Sequence, residues 1–131
     1  MEKYRAWDKN KRRMFDVGDI DFENNLIYTK QYGAFGNPTA DRFSLKDIVL
    51  MQYTGKKDFC DGDIISFQFK YDFIYNKLKR YKGIIEKDAY GFMVKSLNDK
   101  SKPFPLRFLN EVIDEVKKIG DKFQNHELLN N

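Results

Sequence analysis

"IISFQFKYDFIY", residues 64–75, places Ile65, Phe67, Phe69, Tyr71, Phe73 and Tyr75 at every second position, with Ser66, Gln68, Lys70 and Asp72 between them. Successive Cβ atoms of a strand point to opposite faces, so a period of 2 over large apolar residues marks a strand with one buried side. A helix would scatter the same residues around its circumference. The fold class is decided here: the chain is built on β-structure.

Directly before this strand stands "DFCDGD", residues 58–63, with three carboxylates, a glycine and the one cysteine of the chain. Asp58, Asp61 and Asp63 offer hard oxygen ligands, but their spacing does not match the acidic positions of a calcium loop. The alternative is a corner: Asp61-Gly62 has turn chemistry, and Asp63 can accept a backbone N–H where the strand begins. Cys60 then reads as a small apolar filler.

The same reading extends outward. Residues 4–17 are strand, turn, strand, with Asp8 to Lys11 as the turn and Gly18-Asp19 as punctuation. Ile20 and Phe22 alternate with Asp21 and Glu23, and Asn24-Asn25 closes a hairpin. Residues 32–40, "YGAFGNPTA", form a loop. Ser44, three residues before Asp47, is a weak capping box that predicts a single helical turn. Residues 48–53 are a strand, and 76–79 a turn. Residues 80–87 and 91–97 are two more strands, joined at Asp88-Ala-Tyr-Gly91. After the polar loop 98–103, Leu106, Leu109, Ile113 and Val116 are spaced 3, 4 and 3. That spacing predicts a helix of two to three turns; residues 118–123 either continue it or begin a last strand, and Gly120 argues for a break. No internal repeat is read.

The length of 131 residues fits one domain, since domains commonly run to about 100–150 residues. A hydrophobic share of 41% with twelve Phe and eight Tyr supplies a real core and excludes a disordered chain. No apolar run approaches the ~18–20 residues of a membrane span, and the polar N-terminus has no apolar segment of a secretory signal behind it. One cysteine cannot form an intrachain disulfide, and there is no C-x-x-C for zinc. A reduced, cytoplasmic protein without cofactor or metal is the expectation.

Candidate chemistry is sparse. His126, the one histidine, lies far along the chain from Cys60, and no nucleophile elbow or phosphate-binding glycine motif is present. Glu115-Val116-Lys117 is an E-x-K of the kind nucleases place beside an Asp such as Asp63 or Asp88, but it falls in the helical pattern. No catalytic residue is assigned, and the chain is expected not to be an enzyme. The net charge of +4, from 24 Lys and Arg against 20 Asp and Glu, is only mildly basic. Tyr75, Lys77, Lys79, Arg80, Tyr81 and Lys82 mix rings and cations as single-strand binding surfaces do. The competing reading has Tyr75 and Tyr81 closing the core face while the lysines are solvated.

Three blocks carry a family resemblance. "YRAWDKNKRRMF" (4–15), "LMQYTGKKD" with "DGDII" (50–58 and 61–65) and "IGDKFQNHELL" (119–129) resemble the opening, central and closing blocks of the YopX family of phage and prophage proteins, in the same order. The family usually inserts a short hairpin where Phe59-Cys60 stands, and commonly has proline at the position of His126. The resemblance implies a mainly β fold of small antiparallel sheets with an SH3-like, partly open barrel and one short helix in the C-terminal third. It implies one domain over 1–131; an internal division would separate the hairpins of 1–45 from the barrel-like 46–131. Trp7, Gly55, Gly62, Asp63 and Gly120, its motif residues, read as corners and core. It implies a phage or prophage origin but brings no activity. The expected role is an accessory protein that binds a host or phage protein, with nucleic-acid binding as the alternative and self-association open.

Overall fold

The computed structural model describes residues 3–29, 41–70, 80–98, 102–111 and 113–129. The chain is mainly β, with two five-stranded antiparallel sheets in two compact units, Met1–Gly55 and Lys56–Asn131. The division lies at Gly55 because Ile48–Gln52 pairs with Tyr4–Asp8 in the first sheet. Gly55 itself adopts φ +81°, a left-handed conformation that favours glycine.

In the first unit, β1 (Tyr4–Asp8), β2 (Arg13–Asp21), β3 (Leu26–Thr29), β4 (Arg42–Ser44) and β5 (Ile48–Gln52) lie in the order β4-β3-β2-β1-β5. Ala6, Ile27 and Ile48 are buried, and Phe15, Val17, Phe43 and Leu45 pack against them. Gly18-Asp19 does not end a strand. A bulge between Val17 and Asp19 lets β2 run on to Asp21, and Phe22 falls in the following turn, 68% exposed. The helical turn expected after Ser44 is a 3-10 turn, Leu45–Asp47, although the Ser44 side chain makes no capping hydrogen bond.

In the second unit, β6 (Asp63–Phe69), β7 (Arg80–Asp88), β8 (Gly91–Ser96) and β9 (Phe104–Pro105) form a meander, and β10 (Ile113–Asp121) returns to pair with β6. One of the two sheets forms a half-barrel. Ile65 and Phe67 of the alternating stretch are fully buried, with Ile85, Val94, Leu109 and Ile113 around them, and Phe69 packs against that core. Tyr71, Phe73, Tyr75, the turn 76–79 and the loop 32–40 lie outside the described residues.

The helix that the spacing predicted is only a 3-10 turn, Leu106–Phe108; a second 3-10 turn, His126–Leu129, follows the last strand. From Ile113 onward the chain is the strand β10. Its ladder to β6 shifts register between Asp114 and Lys117 and again between Lys118 and Gly120. Each bulge inserts an extra residue into a period of 2, so Ile113 and Val116, three apart, both reach the same core. Bulges thus imitate the spacing of a helix. Glu115 sits in the first bulge at φ +47°.

Both sheets share one connectivity. Numbered within its own unit, the fifth strand lies beside the first, and the second, third and fourth follow. In each, a 3-10 turn leads from the fourth strand towards the fifth. The two turns share a sequence pattern: Phe43-Ser-Leu-Lys-Asp-Ile48 and Phe104-Pro-Leu-Arg-Phe-Leu109. Leu45 and Leu106 both join their unit's core, and Ile48 and Leu109 are both buried. The second hairpin of each unit, β2–β3 and β7–β8, carries an exposed ring, Phe22 and Tyr90. The molecule therefore contains an internal structural repeat that the strand sequences conceal.

Candidate functional site

The carboxylates of residues 58–63 build a corner. Phe59 and Cys60 are buried where the family usually places a hairpin. The Asp63 N–H donates to the Cys60 carbonyl at 3.0 Å, and Asp63 Oδ2 accepts the Cys60 N–H at 2.8 Å. Gly62, at φ +90°, lets its own N–H reach the Ile85 carbonyl at 2.7 Å. Lys118 of β10 closes the arrangement: its Nζ lies 3.2 Å from Asp58 Oδ2 and 3.5 Å from Asp63 Oδ2. The hydrogen bond from Lys118, and then its charge, hold the Asp58 carboxyl below the usual carboxylate range. The carboxylates fasten chain segments, as Asp8, Asp21, Asp88 and Asp121 do by accepting N–H groups two or three residues on.

Two further motif residues lie within strands, Trp7 in β1 and Gly120 in β10. Trp7 is 7% exposed within β1. The side chain of Asn125 lies against Gly120, where a Cβ would collide with it. Asn125 Oδ1 in turn accepts the Asp121 N–H at 3.1 Å.

The E-x-K lies on a strand, so the objection that it is helical falls away. Asp63 pairs with Asp121 at one end of the β6–β10 ladder, whereas Glu115 occupies the bulge beyond Lys117 and Ser66. Glu115 is held by Arg80, whose Nη1 lies 3.0 Å from Glu115 Oε2 and whose Nη2 donates to the Glu115 carbonyl at 2.7 Å. Arg80 Nε also donates to Ser66 Oγ at 3.1 Å. The ladder holds Glu115 apart from Asp63. Among the described residues no three His, Cys, Asp or Glu side chains gather as metal ligands.

Arg80 is thus engaged within the sheet. Tyr81 stacks on Phe67 at 5.9 Å and meets Phe69 edge-on at 5.5 Å, so it closes the core face. Lys82 is half-buried, and its N–H donates to Asn98 Oδ1. Tyr75, Lys77 and Lys79 lie outside the described residues.

Rings and cations do meet elsewhere in the second unit. Phe104 packs edge-on against Phe67 at 5.6 Å and lies parallel to Phe108 at 6.4 Å. The Arg107 guanidinium sits 5.7 Å from the centre of the Phe108 ring. Phe67 is buried, Phe104 and Phe108 are half-buried, and Arg107 is exposed. Lys56 donates to the Leu109 carbonyl at 2.8 Å, and Lys70 to that of Asn110. Cationic heads therefore gather around a partly exposed aromatic surface at the 3-10 turn. Sequence reading passed over Phe104, Arg107 and Phe108 because the helical spacing of their neighbours claimed the segment. The pattern shared with residues 43–48 was the signal that could have found them.

No helix among the described residues is long and apolar enough to cross a membrane. No curated protein and no solved structure matches the chain. The model of the YopX protein family matches residues 3–130, nearly the whole chain and across both units. The three sequence blocks, the mainly β fold and this match agree, and the chain belongs to the YopX family.

Proposed function

We propose that the protein is a phage- or prophage-encoded accessory protein, cytoplasmic in the bacterial host, that works by binding another protein and not by catalysis. One observation carries this reading. The second unit holds more aromatic surface than its core encloses, so that Phe104 and Phe108 remain half-buried beside the exposed Arg107. Rings and arginine at a partly exposed surface are the groups that dominate protein interfaces. The carboxylates that could have served chemistry are engaged in corners and cross-strand pairs. Origin and location follow the phage and prophage character of the family resemblance.

Affinity capture from cells carrying the parent phage or prophage tests the reading. A defined protein partner, retained after nuclease treatment and in a fixed ratio, is the expected result. Recovery of nucleic acid alone, lost as salt is raised, would replace it with a strand-binding role. A chain that stays monomeric and captures no protein would remove its support.

A further inference from the structure

We propose that the 3-10 turn Leu106–Phe108 of the second unit is a docking surface for an extended, acidic peptide segment of a partner protein. Phe104 and Phe108 supply its apolar floor, and Arg107 receives a carboxylate. This rests on the protein-binding reading and names the surface and the chemistry of the partner.

The chain contains its own comparison. The turn Leu45–Asp47 has the same place in the connectivity and the same Phe, Leu and Leu/Ile anchors, yet it has Asp47 where the second unit has Phe108. A turn of this kind forms with either residue. The turn geometry therefore does not demand a ring at this position, and the half-buried Phe108 offers apolar surface for recognition. The preceding position is basic in both turns, Lys46 and Arg107, but only Arg107 is joined by a ring beneath its guanidinium.

Charge selects the occupant. Arg107 and Lys102 are exposed, and Lys56 and Lys70 are drawn to the carbonyls of residues 109 and 110. Glu111 is the single acid between residues 102 and 111. Carboxylates on an extended segment fit the planar fork of Arg107, and its apolar side chains fit the ring edges. A nucleic-acid strand fits less well. Base stacking needs an open ring face, whereas Phe108 already lies parallel to Phe104 with a guanidinium over it.

A displayed library of random twelve-residue peptides, selected on the immobilised full-length protein, tests the proposal. The expected pool is rich in Asp and Glu around an apolar residue. Phe108→Asp, which installs the residue of the first turn, should reduce retention of that pool by about tenfold or more. Arg107→Glu should shift the selected pool from acidic to basic, a change that loss of folding cannot produce. Tyr90→Ser, at the exposed ring of the β7–β8 hairpin, should leave the pool unchanged. An empty selection, a pool without acidic bias, or equal retention by the Phe108→Asp protein would overturn the proposal and leave protein binding elsewhere standing. Competition of the whole pool by a dT12 oligonucleotide would overturn both.

Discussion

Asp63 and Asp58 are five residues apart and meet the same lysine, yet the fold needs them unequally. Asp63 is fully buried and accepts the Cys60 N–H, whereas the Asp58 side chain is 80% exposed. Asp63→Ala should therefore lower stability by about 2–3 kcal/mol, the scale for a buried hydrogen bond to a charged group. Asp58→Ala should cost less than about 1 kcal/mol, as exposed ion pairs do. Urea titration of the two variants measures the difference. The Asp58 pair also has a defined pH dependence. Lys118 lowers the carboxyl in the folded state below its ordinary value of 3.8. The contribution is thus present above that value and is lost as the pH falls through the lower, folded one. Relative to wild type, Asp58→Asn should show its deficit near neutrality and close it in acid. At Gly120 a methyl group would meet the Asn125 side chain, so Gly120→Ala should cost about 1–3 kcal/mol. Gly120→Ala in an Asn125→Ala background should cost less, which a thermal double-mutant cycle reads directly. The corner at Asp61-Gly62-Asp63 was legible in sequence from its turn chemistry directly before an alternating strand. The link from Lys118 to Asp58 was not, because it spans two elements whose pairing no local pattern specifies.

The strands were legible where their period was undisturbed. Ile65, Phe67 and Phe69 declare β6, and the turn Asp88-Ala-Tyr-Gly91 declares the hairpin of β7 and β8, with Gly91 at φ +104°. Interruption defeats such reading. Gly18 looked like an end and is a bulge; Ile113 and Val116 looked helical and are a strand with two extra residues. Pairing with a neighbour, which only the tertiary fold supplies, outweighs local spacing. Hydrogen exchange separates the two forms of this segment. Among the described strands β10 has β6 as its one neighbour, so amides directed at β6 should be protected and the intervening ones should exchange fast. A helix would protect successive amides from its second turn onward. Uniform protection across residues 114–121 would contradict the strand.

At the scale of the molecule, two units repeat one connectivity with little common sequence. What they retain is confined to the places the topology makes demanding: the 3-10 turn with its Phe and Leu anchors, and a hairpin opened by an aspartate cap. Elsewhere any apolar residue of adequate size serves the core. The family's central block, 50–58 with 61–65, lies across the boundary between units, ending β5 and starting β6. It therefore marks the connection as much as the barrel. Where the units differ most tellingly is the turn, with Asp47 in one and Phe108 in the other. The proposed docking surface is placed on the second on that contrast. A photoreactive phenylalanine analogue at position 108, irradiated in cells that express the protein, tests this most directly. The account predicts a discrete covalent adduct with one protein, absent when the analogue stands at position 47. Adducts with nucleic acid, equal yields at both positions, or none at position 108 would contradict it.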